Sequence, residues 1–585
     1  MTTDLATARL IADMISPDSG AIDVFGQSAL PDDQTLVNAL RQNKVPLLSL
    51  NTNVPRWHAF YWGQAFRHAR SEEEILWATI RSEFLAVHEA MENAGIRDVC
   101  IKSVGLAPAL PYRSDNLDIL VPLSEGQRAR QLLRDLGYVE LLNVEEPHKF
   151  LFRKFRGGTT VSAIHLHEFV GWGTGFMDDQ GVIERARPSR DDPAARIPST
   201  EDALLITMAH AFYEDKEIAL GDIWKVRHLL QERDLDWDLI CRMTEQRGWL
   251  EGLWSCVSLW SRLESLLYST CSFPKEIIHK STDMPFFCRA YLKRDEHRTA
   301  TFPYLISFRF SKRHYYRKVR QDTILTGRQK AIDAMRHTWA GIARRLPIKP
   351  QRPMLVTLSG IDGSGKTVQA ETLCRAFSEC AIAARRVWSR GGSSGLTDII
   401  TRLVKPFLPE QHRLDTVSDT RQAKLERKKA WLRRPLLRAG WLCLVAADLI
   451  LQYGRRVAWP LLLGQVVIAD RYIYDAFVEL AVLTDQQPLA EYWLARPLHA
   501  LCPHPRLAYL LDVSPETAWH RKPDEVLDDL ERQQFMYMRM ARAWGLHIVD
   551  ANCDLIKIQD EVVYEVLTTY YDYWHRSWRG PICES

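Results

Sequence analysis

Two regimes of apolar patterning divide the chain. In the first, apolar positions recur at helical spacing over residues 73–95, and short apolar runs follow at 99–101 and 117–121, which predicts a helix leading into two strands. Residues 149–155 and 159–169 alternate apolar and polar on either side of Gly157-Gly158, the pattern of two antiparallel strands joined by a turn. At Ser199 the character changes. Ser199-Thr200-Glu201-Asp202 resembles a helix cap with acids at the positive end of the dipole, and helical periodicity continues, with interruptions, to about residue 270.

The second regime follows a proline-rich stretch at 347–353, which resists helix and central strand because proline lacks the amide donor and so predicts an interdomain linker. Beyond it, short β-rich runs (MLVTL, RRVW, VVIA, LAYLL, LHIV) alternate with longer helical segments, the pattern of a parallel sheet covered by helices. The fold expected is α/β: a doubly wound parallel sheet with helices on both faces over 352–585, preceded by an α+β domain with a helical tail. Its boundaries are a helical segment at 1–74, the α+β domain and its extension at 75–300, and a basic helical segment with linker at 301–351.

Composition narrows the function class. A chain of 585 residues that is 46% apolar can bury more than one core, and a net charge of +3 gives no global case for nucleic-acid binding. The basic and aromatic run FRFSKRHYYRKVRQ leaves a local contact with nucleic acid open, although a solvated helix face is the preferred reading. Eleven cysteines without a CxxC pair fit reduced thiols, and the N-terminus lacks the basic and apolar regions of a signal peptide, so a cytoplasmic protein is expected. Residues 439–454 are strongly apolar but too short for a membrane span and carry Asp448, which predicts a buried helix. A homodimer is compatible with all of this.

Chemistry enters at Gly360-Ile-Asp362-Gly363-Ser364-Gly365-Lys366-Thr367, set between a strand-like run and a helix whose Ala370, Leu373 and Phe377 share one face. Glycines let successive amides turn toward one anion, and the helix dipole adds to them. Lys366 can reach β- and γ-phosphates, and Thr367 can hold magnesium, so this P-loop predicts ATP with Mg2+. A second buried run ends in Asp470-Arg471-Tyr472. Ligands gather at the carboxyl ends of such strands, so Asp470 should order magnesium and Arg471 should grip phosphate oxygens.

Three stretches, LSGIDGSGKTVQA, GQVVIADRYIYDAF and RLAYLLDVSPETAWHRK, resemble the thymidylate kinase family of nucleoside monophosphate kinases over roughly 353–575. The resemblance implies that Asp362 contacts an acceptor hydroxyl, that Arg471 binds the acceptor phosphate, and that Arg521 with Lys522 closes over the transferring group; Arg390, in a stretch that departs from the family, is a further candidate to hold that phosphate. The catalytic set it implies is Lys366, Asp470, Arg471 and Arg521. Three positions depart from the family: Ser359 replaces a usual glutamate, Ser389-Arg390-Gly391-Gly392 replaces an REPGG-like stretch, and Leu449 replaces a base-reading arginine. Leucine donates no hydrogen bond, so the acceptor is left open among other nucleoside monophosphates, small phosphorylated sugars and cell-envelope metabolites. The basic insert at 402–438 is a candidate cover for the acceptor pocket or a site for an anionic partner.

In the first regime, Ile101-Lys102-Ser103, the run Arg113-Ser-Asp115-Asn116-Leu-Asp118, and Ile164-His165-Leu-His167 resemble the uncharacterised nucleotidyltransferases of the polymerase-β superfamily, with His210 and Asp222 in the helical tail adding to the likeness. Two-metal nucleotidyl transfer needs carboxylates at alternate positions of one strand and a third acid on a neighbour. Here Asn116 takes the first position, Asp118 the second and His165 the third, leaving Asp118 as the candidate metal ligand. On a regular strand Asp115 points away from Asn116 and Asp118. A noncatalytic module is therefore preferred to an active transferase, and His165-Leu-His167 is either a transition-metal pair or two ordinary polar residues. The first reading is an ATP-dependent kinase; the alternatives are a bifunctional nucleotidyltransferase-kinase and a noncatalytic ATP-binding regulatory protein.

Overall fold

The computed structural model describes residues 2–16, 31–102, 116–143, 148–172, 174–190, 192–232, 234–296, 298–343, 352–388, 434–484, 492–523 and 526–578. Arg113, Asp115, Arg390, the linker up to residue 351 and the insert up to residue 433 lie outside the described residues. The chain is a mixed α/β protein with many helices that divides into two compact units, residues 1–154 with 161–347, and 348–585 with 155–160.

The first unit carries a five-stranded sheet. Its strands are β1 (Val99–Cys100), β2 (Leu117–Leu120), β3 (Val139–Leu141), β4 (Lys149–Arg156) and β5 (Thr159–His167), in the order β1-β2-β5-β4-β3. β1 runs antiparallel to β2, and β2 runs parallel to β5 with Asp118 opposite His165. Alternation sorts the side chains. Leu117 and Ile119 of β2 and Ile164 and Leu166 of β5 enter one core with Phe84, Val87 and Met91 of the helix Gln64–Asn93. Asp118, His165 and His167 therefore share the opposite face. A larger core joins the first helix, Leu5–Ile15, to the helices Thr200–Ala209, Leu220–Glu232 and Leu250–Leu267. Ser199 caps the first of the latter three by accepting from the amide of Asp202 at 3.2 Å.

The second unit is built on a wholly parallel sheet of β6 (Met354–Ser359), β7 (Ala384–Trp388), β8 (Val466–Asp470), β9 (Leu507–Asp512) and β10 (His547–Asp550). The order is β7-β8-β6-β9-β10. All residues of β6 and β8 are buried, as central strands of a parallel sheet require. Leu358 lies opposite Asp470, which brings the loop after β6 and the end of β8 to the same edge. Across the apolar segment the helix Pro435–Tyr453 is buried on one face only: Val445, Asp448, Leu449 and Tyr453 are covered, whereas Leu436 and Leu451 are exposed. The expectation of a buried helix thus holds for one side. Among the described residues, no helix is long and apolar enough to cross a membrane.

Candidate functional site

β6 delivers the chain into the glycine-rich loop. Gly363 has φ +90°, and a Cβ there would lie 2.6 Å from the Ala518 carbonyl oxygen, so the loop packs against the helix Pro515–Arg521 with no room for a side chain. The loop opens directly into the helix Lys366–Glu379, anchored by buried Ala370, Leu373 and Phe377. Lys366 is only 5% exposed, and its ammonium donates to the carbonyls of Gly360 and Ile361, each at 2.8 Å. Burial, reinforced by Arg471, pushes its pKa down to about 8 against the pull of Asp475, Asp362 and Asp470.

At the neighbouring strand end, Thr367 Oγ1 donates to Asp470 Oδ2 at 2.7 Å, and Arg386 Nε lies 4.0 Å from the same oxygen. Arg471 adopts φ +76°, a left-handed conformation that costs a non-glycine residue on the order of 1 kcal/mol or more. Its guanidinium is held by Asp362 and, at 3.0 Å, by Glu479. Asp362 also takes Lys522 Nζ at 2.9 Å. Burial alone would raise the carboxyl of Asp362, but Arg471, Lys366 and Lys522 outweigh it and hold the pKa at about 2. Exposed Arg521 donates to the Gly363 carbonyl at 3.3 Å.

These groups line one cleft of about 620 Å³, formed by the loop from Asp362 to Thr367 with Asp470, Arg471, Arg521 and Lys522. Of the residues singled out in the sequence, Asp362, Gly363, Ser364, Gly365, Lys366, Thr367, Asp470, Arg471 and Arg521 meet here. Gly360 lies behind the lining, as an acceptor for Lys366. Sequence reasoning missed Asp475. Its Oδ2 accepts from Ser359 Oγ at 2.7 Å and from the Tyr472 amide at 2.9 Å, and its Oδ1 accepts from Tyr537 OH at 2.9 Å. An acid in the first turn after Asp470-Arg471-Tyr472 was the available signal. Leu449 is fully buried in the apolar core, and neighbouring Asp448 accepts from Gln452 Nε2 at 2.9 Å.

The first unit holds a second polar cluster on the sheet face of Asp118. His167 Nε2 lies 2.8 Å from Asp118 Oδ1, Lys102 Nζ 3.1 Å and His165 Nδ1 3.5 Å from the same atom. Asn116 Nδ2 donates to Asp118 Oδ2 at 3.1 Å and contacts His165. Burial favours the neutral carboxyl, but Lys102 and the two histidines outweigh it and hold the Asp118 pKa well below the usual range. Burial likewise dominates at His167, lowering its pKa to about 4 against the opposing effect of Asp118.

A π-helical turn, His210–Asp215, supplies the acids beside this cluster. Glu214 meets Lys102 at 3.5 Å, Lys149 at 3.2 Å and His210 at 2.8 Å, while Asp215 pairs with Lys44 at 2.6 Å. Asp222 stands 3.7 Å from Lys44 and accepts from the amide of Ala219 at 3.0 Å. Sequence reasoning missed Glu214 and Lys149: alternation predicts the strand that carries Lys149, but no local pattern announces the π turn that brings Glu214 to it.

Residues 34–263 match the model of the family described as "Uncharacterised nucleotidyltransferase". Another similarity is to a probable thymidylate kinase of Pyrobaculum calidifontis, 28% identical over 217 residues, which is 36% of this chain and 94% of that protein. A probable thymidylate kinase of Pyrococcus abyssi is 26% identical over 223 residues, covering 36% of this chain and 95% of its own length. The chain thus resembles a nucleotidyltransferase family and thymidylate kinases, and a nucleotide-related transferase is the function class these similarities support.

Proposed function

We propose that the protein is an ATP-dependent kinase that transfers the γ-phosphoryl group to a nucleoside monophosphate or a related small phosphorylated acceptor. The observation that carries this reading is the 2.7 Å contact of Thr367 with Asp470, both of which line a cleft that also gathers Lys366, Arg471, Arg521 and Lys522. We assign the thymidylate kinase likeness to 352–585, read as a doubly wound P-loop module. The segments 1–74, 75–300 and 301–351 precede it in a cytoplasmic protein.

A hydroxyl and a carboxylate already in contact are oxygen donors of the kind a hydrated Mg2+ takes, so Thr367 and Asp470 would hold it. Magnesium supplies charge neutralisation at the β- and γ-oxygens when bound there. The protein's own residues do the rest by positioning and by charge. Loop amides cradle the phosphates, Lys366 exchanges its carbonyl partners for phosphate oxygens, and Arg521 and Lys522 stabilise the charge that builds on the transferring group. Arg471 grips the acceptor phosphate, and Asp362 orients an acceptor hydroxyl.

The test is ADP formation with ATP and Mg2+ against a panel of nucleoside monophosphates and phosphorylated sugars. At least one acceptor should stimulate turnover, and Lys366→Ala should reduce that turnover by about 100-fold or more. If ATP binds, Lys366→Ala abolishes that binding and no acceptor stimulates turnover, the noncatalytic ATP-binding reading replaces this one.

A further inference from the structure

The sheet face of Asp118 does not suit the magnesium pair of a nucleotidyltransferase. Such a pair needs oxygen ligands from three acids, two on alternate positions of one strand and one on its neighbour. Position 116 instead carries an amide whose nitrogen is turned toward Asp118, and position 165 carries an imidazole. Asp118 is the sole carboxylate among these three positions. We infer that Asp118, His165 and His167 form a site for one transition-metal ion, replacing the magnesium pair by a single nitrogen-rich centre.

Geometry carries the inference. His165 and His167 are two residues apart on β5, so both imidazoles project from one face, and the parallel register sets Asp118 directly opposite His165. A carboxylate oxygen of Asp118 and one nitrogen from each histidine all lie within 4.8 Å of one another. Two of the three edges measure 2.8 Å and 3.5 Å, to be compared with edges of roughly 3.3 Å around an ion about 2.0–2.1 Å from each ligand. Closing the triangle needs only side-chain adjustment. Two imidazoles and one carboxylate make a borderline donor set that favours zinc, cobalt or iron(II) over magnesium. Three protein ligands also leave a coordination position for water or a substrate atom.

Lys102 is the built-in competitor. Its ammonium stands 3.1 Å from the Asp118 oxygen that an ion would claim, and it already reaches Glu214 at 3.5 Å. An arriving cation can displace it onto Glu214 without leaving that charge unpaired. Metal binding and the Lys102–Asp118 pair are therefore mutually exclusive, and removing the lysine charge should tighten binding.

Cobalt(II) is the probe, titrated into the full chain and followed by visible absorption and by calorimetry. One ion per chain is expected to bind at this site, to be displaced by zinc, and to persist in a large excess of magnesium. Affinity should fall by about 100-fold or more in His165→Ala and His167→Ala and should rise in Lys102→Met. It should be unchanged in His499→Ala, which disrupts another close histidine pair, His499 with His504. The double variant Asn116→Asp/His165→Asp restores the acids and should reverse the preference toward manganese and magnesium. This readout stands even if the buried His167 variant fails to fold. Cobalt binding that survives both histidine substitutions, magnesium that competes as well as zinc, or a double variant with unchanged preference would each overturn the inference.

Discussion

Lys366 and Asp362 approach within 4.0 Å, and burial acts on them in opposite senses. It lowers the pKa of Lys366 to about 8 from an ordinary 10.5. Between those values the unfolded chain holds a proton that the folded chain has lost, so stability rises with pH across that window. Below about pH 8 the charged ammonium costs the fold about 3 kcal/mol, and Lys366→Met should raise the unfolding midpoint at pH 7 by a gain that fades between pH 8 and 10.5. Asp362 behaves oppositely, because its neighbouring cations prevail over burial. Its contribution of about 2 kcal/mol is full above pH 3.8 and is lost as pH falls through about 2, so Asp362→Asn should destabilise at pH 7 and be neutral in strong acid. Unfolding measured across pH checks both signs. The two residues were legible in the sequence because the glycine-rich pattern fixes their place. Asp475 and Glu214 were not singled out: beside the local Tyr472 amide and His210 they take partners distant along the chain, Tyr537, 62 residues away, for Asp475 and Lys149, 65 residues away, for Glu214.

At the scale of elements, the loop after β6 depends on backbone shape as much as on side chains. Gly363→Ala would place a methyl group 2.6 Å from the Ala518 carbonyl at φ +90°, and the loop must shift. ATP affinity in equilibrium dialysis should fall at least tenfold, with a stability loss on the order of 1–3 kcal/mol. The strand end beside it is braced from behind by Asp475, which takes three donors. Tyr537→Phe removes one of them and should cost about 1–3 kcal/mol in denaturant unfolding, while cleft residues keep their identities. Of the five runs read as parallel strands, the three inner ones were legible because buried strands are short, apolar and flanked by helical periodicity, whereas the largely exposed edge strands β7 and β10 were legible from their spacing between helical segments. The order β7-β8-β6-β9-β10 was not, because pairing is set by packing across the sheet. Likewise, the half-exposed face of Pro435–Tyr453 follows from its single packed side, which an apolar count alone does not reveal.

At the scale of the whole chain, two candidate sites would act on different bonds of one nucleotide class. Transfer from the γ-position releases ADP, whereas nucleotidyl transfer releases pyrophosphate and carries the α-phosphorus into product. The second unit has a glycine-rich loop, a Thr367–Asp470 contact and cations around one cleft, so on the proposed kinase reading ADP should be the nucleotide product. The first unit has Asn116 and His165 where the two-metal reaction needs acids, and its remaining Asp118 is committed to Lys102 and two histidines. Pyrophosphate should therefore stay at the level of a protein-free control while ADP accumulates. Asp470→Asn should lower ADP formation by about 100- to 1000-fold, the effect of removing one preorganised charged group. Label from α-phosphate appearing in an acceptor, with equal pyrophosphate, would instead indicate that Asp118, without acids at positions 116 and 165, suffices for nucleotidyl transfer. The same assay run with cobalt in place of magnesium separates the two sites further, because among the described residues the cluster of histidines and an acid close enough to hold one ion, Asp118 with His165 and His167, lies in the first unit.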